Sequence, residues 1–207
     1  AAPTWGDVSS SPTFEATADG AIADGDTVII QTDGTVAKVA ISSTAKNPVT
    51  SSNSNWNDIS SVSSNYTSAV YMPDNGAQIA VFWQDQDNND RGRVKIINAL
   101  SNGSITEGTE YAVTGNQTFF NKVVYDTNAD KFLFVYKDYS NSGLVYCKVG
   151  TFDGSAWTFG GHVAVNSNNS AYIDAVYDPD SQKIVVVYYD QGSTSQGKAR
   201  VGTISGT

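Results

Sequence analysis

Residues 132–138 read Phe-Leu-Phe-Val-Tyr-Lys-Asp, and two counterparts of this segment occur elsewhere in the 207-residue chain. Residues 79–85 read Ile-Ala-Val-Phe-Trp-Gln-Asp, and residues 184–190 read Ile-Val-Val-Val-Tyr-Tyr-Asp. Apolar residues stand at consecutive positions, so a strand built from any of these segments has two apolar faces that need cover. Stacked or radially arranged sheets give such cover, as the blades of a β-propeller do.

A tyrosine motif shortly before each segment defines a repeat of just over fifty residues. Val-Tyr-Met-Pro-Asp starts at Val70, Val-Tyr-Asp-Thr-Asn at Val124 and Val-Tyr-Asp-Pro-Asp at Val176, so the tyrosines are 54 and 52 residues apart. A polar loop and a third strand follow each apolar segment. A fourth strand is predicted over 105–113 and 157–165. Each unit is therefore predicted to be an antiparallel β-meander.

The third strand of each unit alternates in character. One register holds Val94, Val145 and Ala199, and a second holds Ile96, Cys147 and Val201. Between them stand Lys95, Tyr146 and Arg200, which we expect to face outward.

These patterns predict an all-β, propeller-like protein with a small amino-terminal β module. Asp-Gly turns between short apolar runs indicate a hairpin module over 1–45, and a Ser- and Asn-rich linker or loop covers 46–64. Three blade-like repeats follow over 65–116, 117–168 and 169–207, the last of them incomplete. Either the chain belongs to a longer array, or chains associate, or the amino-terminal region supplies missing strands. We expect the last sheet to have a covered edge, because a bare edge recruits partners.

Composition and charge narrow the function classes. Ser, Thr, Asn, Asp and Gly are abundant, which favours strands and turns over helices. The formal net charge of −9 argues against a nucleic-acid partner and against adsorption to an anionic membrane surface. No apolar run reaches membrane-spanning length, so no membrane insertion is expected.

Several short motifs resemble structural proteins of tailed phages, including phages of marine cyanobacteria. The motifs are residues 23–28 (Ala-Asp-Gly-Asp-Thr-Val), residues 33–36 (Asp-Gly-Thr-Val), the Val-Tyr-Asp-Pro-Asp repeats and residues 201–206 (Val-Gly-Thr-Ile-Ser-Gly). Phages carry such proteins as tail fibres and capsid protrusions. The resemblance implies a virion surface location, other virion proteins as partners and no catalytic residues.

Residues for catalysis are scarce. His162 is the sole histidine and aligns with Glu110, which indicates a surface position. Cys147 is the sole cysteine and aligns with aliphatic residues, which indicates a small buried apolar side chain. Arg91, Arg93 and Arg200 are too few to form the arginine cluster of sialidase-type propellers. We therefore predict no catalytic residues and no organic cofactor.

One loop, Asp85 to Gly92, resembles the start of a calcium site. Asp85, Asp87 and Asp90 are the candidate ligands for Ca²⁺. The pattern departs from an EF-hand, because Asp90 stands where glycine is needed and no terminal Glu follows, so a solvated turn is the favoured interpretation. The equivalent residues Asp85, Asp138 and Asp190 are expected to cap backbone amides.

Aromatic residues offer a sugar platform or inter-sheet packing. Repetition favours packing for two aligned sets: Trp83, Tyr136 and Tyr188, and Tyr71, Tyr125 and Tyr177. Trp56 and Trp157 do not repeat, and we expect them to be free for surface contacts.

The sequence favours a non-catalytic virion surface protein, either a capsid decoration or a tail appendage, that contacts a host-cell surface through carbohydrate and can form a homo-oligomer. An exported bacterial adhesin or lectin, which would be extracellular, is the first alternative. A glycan-degrading propeller enzyme is the second.

Overall fold

The computed structural model describes residues 16–23, 26, 28–38, 58–73, 78–100, 104–192 and 195–206. The chain divides into two compact units, Ala1–Ser54 and Asn55–Thr207. Strands make up almost all of the regular structure, which confirms the all-β prediction. The strands are β1 (Val28–Ile30), β2 (Val36–Lys38), β3 (Ser64–Met72), β4 (Gln78–Asp85), β5 (Arg91–Ala99), β6 (Ile105–Glu107), β7 (Tyr111–Asp126), β8 (Lys131–Asp138), β9 (Leu144–Phe152), β10 (Trp157–Ala164), β11 (Ser170–Asp178), β12 (Lys183–Asp190) and β13 (Gln196–Gly202).

The amino-terminal unit contains the predicted hairpin at Asp33-Gly34. Strands β1 and β2 pair antiparallel, and the Asp33 carboxylate accepts a hydrogen bond from the Thr35 amide across the turn. Gly34 has φ of 85°, which glycine adopts without steric cost. Trp56 and most of the predicted linker lie outside the described residues.

In the part of the chain that the structure describes, the second unit forms an antiparallel sheet of eight strands and one of three strands. We divide them into three blades, because β7 pairs with β5 in its first half and with β8 in its second half. Blade 1 contains β3, β4, β5, the short β6 and the first half of β7. Blade 2 contains the second half of β7, then β8, β9 and β10. Blade 3 contains β11, β12 and β13. The antiparallel meander predicted for each repeat is confirmed.

The strand β7 joins blades 1 and 2 without a loop. Its early residues pair with β5 as far as Gln117, and from Thr118 onward it pairs with β8. The predicted repeat boundary at residue 116 therefore falls inside a strand. The fourth strand predicted over 105–113 is likewise divided between β6 and the start of β7, because the chain passes from one sheet to the next while still extended.

Alternate side chains of β8 enter two different cores. One core lies between blades 1 and 2 and receives Phe132, Phe134 and Tyr136. The other lies between blades 2 and 3 and receives Leu133 and Val135. The expectation that this strand is covered on both faces is thus confirmed, and the neighbouring blades provide the cover.

Two predicted surface residues are instead packed between blades 1 and 2. Trp157 is only 7% exposed. It stands on β10 at the outer edge of blade 2, and its indole packs into the core between blades 1 and 2. Tyr146 packs against the same core rather than facing outward. Lys95 also makes protein contacts: its ammonium donates to the Ile59 carbonyl and to Glu107.

Blade 3 is the incomplete one. Strand β13 pairs with β12 along one edge, and no described strand pairs with its other edge. All residues of β13 are exposed. The cover that we expected for this edge is therefore not supplied by any described strand of the chain.

Because Trp157 closes the core between blades 1 and 2, we predict that Trp157→Ala lowers the free energy of unfolding by about 3–5 kcal/mol. Urea denaturation followed by fluorescence and circular dichroism measures this loss. The control is Thr158→Ala, since the neighbouring Thr158 side chain is exposed and its removal should change little. Equal effects of the two substitutions would contradict the assigned packing.

Candidate binding surface

Each blade carries a β-bulge at the same place in its first strand. The pairing register shifts between Asn65 and Ser68, between Phe119 and Lys122, and between Ala171 and Asp174. A bulge bends its strand and redirects a side chain, and bulges are common beside functional sites. The three bulges therefore lie at equivalent positions along one edge of the blades.

An aromatic residue with left-handed backbone stands in every bulge. Tyr66 has φ of 49°, Phe120 of 55° and Tyr172 of 51°. This conformation costs a residue with a side chain about 1–2 kcal/mol, and such strain persists where the surrounding structure enforces it. Its recurrence with the same residue class in three blades indicates a shared purpose for the redirected rings.

The three rings form a continuous row across the blades, which we call the aromatic row: Tyr66, Phe120 and Tyr172. The Tyr66 and Phe120 ring centroids are 5.1 Å apart, and those of Phe120 and Tyr172 are 5.3 Å apart. Tyr66 is 37% exposed and Tyr172 is 72% exposed. Phe120 between them is half-buried and packs against the core between blades 2 and 3. Exposed apolar surface, such as that at the two ends of the row, is typical of binding sites.

Further rings and one ion pair border the row. The ring centroid of Phe119 lies 5.6 Å from that of Tyr66 and 5.5 Å from that of Tyr139. The ring centroids of Tyr189 and Tyr172 are 6.2 Å apart. The Lys122 ammonium lies 3.5 Å from the Asp174 carboxylate, and these two residues follow the bulges of blades 2 and 3. The border thus supplies both aromatic faces and exposed charged groups.

The repeat spacing in the sequence is the signal that could have identified the aromatic row. Tyr66, Phe120 and Tyr172 each stand five residues before a repeat tyrosine and share its spacing. Of the two aligned aromatic sets, Trp83, Tyr136 and Tyr188 are buried, which confirms the packing interpretation. In the other set, Tyr125 is buried and Tyr177 packs against the core between blades 2 and 3, whereas Tyr71 is 54% exposed.

The repeat aspartates lie at the same end of the blades as the aromatic row. Asp85, Asp138 and Asp190 stand opposite Ser64, Thr118 and Ser170 in the pairing register. Asp138 accepts from the Asn141 amide at 3.2 Å, and Asp190 accepts from the Gly192 amide at 2.8 Å, which confirms the predicted capping at these two positions.

Asp85 departs from the capping prediction. Its carboxylate makes no capping bond and instead lies 3.3 Å from Nε of Arg93. The same Arg93 Nε lies 3.5 Å from Oε1 of Glu110, so one guanidinium pairs with two carboxylates at this edge of blade 1.

The three candidate calcium ligands have separate partners. Asp85 contacts Arg93, Asp87 accepts from the Ser63 amide, and Asp90 accepts from the Gln117 side chain. Within the described residues, no group of three or more His, Cys, Asp or Glu side chains is arranged to hold a metal ion. The structure therefore does not bring Asp85, Asp87 and Asp90 together.

The scarce catalytic residue types are scattered. His162 is exposed, and its ring centroid lies 4.8 Å from that of Tyr146. Cys147 is partly buried beside the core between blades 2 and 3, and burial raises the pKa of its thiol. A raised pKa disfavours the thiolate, which is the nucleophilic form.

Comparison with known proteins adds little. No protein-family model and no curated protein matches the chain. Two solved structures of exo-β-1,3-galactanase from Phanerochaete chrysosporium, each with β-1,3-galactotriose, are similar at 12% identity with TM-scores of 0.47 and 0.48. The match covers 63% of this chain but only about a third (33%) of the galactanase chains. A likeness this distant carries no conclusion about activity.

Among the described residues, no helix is long and apolar enough to cross a membrane.

Because the carboxylates of the Asp85 to Gly92 loop have separate protein partners, we predict that calcium leaves the melting temperature unchanged. A bound ion would stabilise the fold by about 2.7 kcal/mol at a hundredfold excess over its dissociation constant. Differential scanning calorimetry with excess calcium and with a chelator measures the effect. A calcium-dependent rise that Asp87→Asn and Asp90→Asn abolish would contradict the prediction.

Asp190 should make stability depend on pH. A hydrogen bond from Lys198 and another from the Gly192 amide lower the pKa of Asp190. A lowered folded-state pKa stabilises the fold above the unfolded value of about 3.9, and this contribution disappears as the pH falls through the folded value.

We therefore expect the stability difference between wild type and Asp190→Asn to be constant above about pH 5 and to shrink below pH 4. Urea unfolding at stepped pH values measures this difference. Lys198→Met, which removes the ammonium, should also reduce the pH dependence. An Asp190→Asn variant with the same pH profile as wild type would refute the assignment.

Proposed function

We propose that this chain is a non-catalytic carbohydrate-binding protein of a virion surface, which contacts host-cell glycans through the aromatic row. The observation that carries the proposal is the set of three aromatic residues held in left-handed bulges at equivalent positions. The Tyr172 ring is 72% exposed although it lies beside the rings of Phe120 and Tyr189. A role in binding accounts for both the strain and the exposure.

The chemistry of the row suits sugars. One face of a pyranose ring presents C–H groups, which pack against the electron-rich faces of aromatic rings. Three rings about 5 Å apart offer successive contacts for an extended glycan. The exposed Lys122 and Asp174 groups at the border can donate to and accept from sugar hydroxyls.

The expected affinity is low for one chain. The row offers only three rings to a ligand, and the middle ring is half-buried, so we expect weak binding by a single chain. Display of many copies on one particle raises the effective strength by about 10²–10⁴ without any new contact. Multivalent display on a capsid or tail suits a site of this kind.

The virion setting is supported by the sequence likeness to tailed-phage proteins. Genes for capsid or tail proteins on either side of the coding sequence would support that setting. A secretion signal encoded in the gene would favour the alternative of an exported bacterial adhesin or lectin.

The binding proposal predicts that Tyr172→Ala and Tyr66→Ala each weaken binding to host polysaccharide by about tenfold, the equivalent of 1.4 kcal/mol. Biolayer interferometry with the chain immobilised at high density, and with extracted cyanobacterial surface polysaccharide as the probe, measures this loss. The matched control is Tyr71→Ala, since Tyr71 is exposed to a similar degree but lies outside the aromatic row. Unchanged binding in both row variants, or equal loss in the control, would refute the site.

The absence of catalysis is a separate prediction. Burial raises the pKa of the Cys147 thiol and so disfavours its nucleophilic thiolate form, and the exposed His162 has no His, Cys, Asp or Glu cluster around it among the described residues. We expect no release of reducing sugar when the chain is incubated with the same polysaccharide. Turnover that Asp174→Asn abolishes would instead establish the glycan-degrading alternative.

A further inference from the structure

We propose that the binding surface recognises the interior of a linear polysaccharide, several consecutive sugar units at a time, and not the terminal sugar of a chain. This inference rests on the proposed function, because it concerns the ligand of the same aromatic row. It states which part of the glycan is bound and how the affinity depends on glycan length.

The first observation is the set of rings that adjoins the aromatic row. The Phe119 ring adjoins Tyr66, with ring centroids 5.6 Å apart, and Tyr139 adjoins Phe119 at 5.5 Å. The Tyr189 ring adjoins Tyr172 at 6.2 Å. We call the row and these rings together the aromatic platform: Tyr139, Phe119, Tyr66, Phe120, Tyr172 and Tyr189. Each ring of the platform lies beside another, so neighbouring units of one ligand can meet neighbouring rings.

The second observation is that the platform is open. Tyr139, in the turn after β8, is 61% exposed, and Tyr172, on β11, is 72% exposed. Pockets that enclose a small ligand are concave and bury most of its surface. Rings that stand this far into the solvent do not enclose a sugar, and they leave room for a glycan chain to continue past them.

The third observation is that the platform extends over all three blades. Tyr66 belongs to blade 1, Phe120 to blade 2 and Tyr172 to blade 3, and each is held in its bulge with φ between 49° and 55°. Because the backbone fixes these positions, little further ordering is needed when a ligand binds. A single sugar unit would leave most of this prepared surface unused. A ligand that spans the blades accounts for an aromatic residue in each of them.

The polar groups at the border suit the same kind of ligand. The Lys122 ammonium lies 3.5 Å from the Asp174 carboxylate, and the two side chains are 36% and 67% exposed. They can donate to and accept from hydroxyl groups, and the rings can pack against C–H groups. Every unit of a glycan chain presents both kinds of group. Neither contact requires the free hemiacetal or the additional hydroxyl that only a chain end has.

Interior recognition fixes the dependence of affinity on length. Each added sugar unit gains contacts until the platform is covered, and further units lie beyond the rings. Affinity should therefore rise along a series of oligosaccharides and then level off. A site for a terminal sugar would bind every member of the series equally, because each chain has one such end.

The probe for the test is a size-graded series of oligosaccharides, prepared by partial hydrolysis of the extracted cyanobacterial surface polysaccharide and reduced with borohydride to remove the hemiacetal end. Frontal affinity chromatography on the immobilised full chain measures Kd for each length. We expect Kd to fall at least tenfold between the disaccharide and the longest oligosaccharide, with the change confined to the shorter members.

A variant at one end of the platform tests the same dependence from the protein side. Tyr139→Ala removes an exposed ring and should weaken binding of the longest oligosaccharide at least threefold, while the disaccharide, which fits on the remaining rings, binds as before. The matched control is Tyr71→Ala, since Tyr71 is 54% exposed and outside the platform, and it should leave Kd unchanged at every length.

The outcomes separate this inference from the proposed function. If neither the oligosaccharides nor the intact polysaccharide bind, both are overturned. If the polysaccharide binds but Kd is the same at every length, sugar binding stands and interior recognition is wrong. Equal loss for short and long oligosaccharides in Tyr139→Ala, or a length-dependent loss in Tyr71→Ala, would also overturn the inference.

Discussion

Apolar side chains on both faces of the second strand are the constraint on which this structure depends. In β8, Phe132, Phe134 and Tyr136 enter one core while Leu133 and Val135 enter another, so neither face can meet water. Burial of apolar surface stabilises a fold by about 25 cal/mol per Å², so leaving one face of such a strand in water would lower the free energy of unfolding. In β8 the neighbouring blades cover both faces. In β12 one face is buried in the core between blades 2 and 3, whereas Val187 on the other face is 43% exposed.

The same packing permits the strained bulges. Val123 and Val124 follow Phe120 on β7 and are buried in opposite cores, so both faces of the strand are held in place just beyond the bulge. A backbone anchored in this way can hold Phe120 in the left-handed region, since release of the strain would require both cores to repack. Rigid cores and a strained, exposed edge are thus two parts of one arrangement.

The sequence predicted the repeat and the apolar second strands, because hydrophobic periodicity reports burial directly. For the third strands it was correct for Val94, Ile96 and Val145, which are buried, and wrong for Tyr146, which packs against a core. It failed where a residue's role depends on the neighbouring blade. Trp157 does not repeat, so nothing local showed that it fills a seam. The aromatic row went unnoticed although Tyr66, Phe120 and Tyr172 share the repeat spacing, because a β-bulge reverses the alternation by which strand faces are assigned. Spacing alone made Asp85, Asp87 and Asp90 candidate calcium ligands beside the favoured interpretation of a solvated turn, and spacing does not reveal that each carboxylate has a different partner.

The sixteen-residue strand β7 has a mechanical consequence. In arrays whose repeats are joined by flexible loops, each unit has its own stability and the units can separate one at a time. Here one strand forms ladders with β5 and with β8, so tension on either sheet passes directly to the other through the backbone. Blades 1 and 2 should yield as one block. Blade 3 is connected to β10 by a loop, so only the core between blades 2 and 3 resists its separation from that block. The three blades are therefore better described as a pair that shares the strand β7, followed by a third blade of three strands, than as three equal repeats.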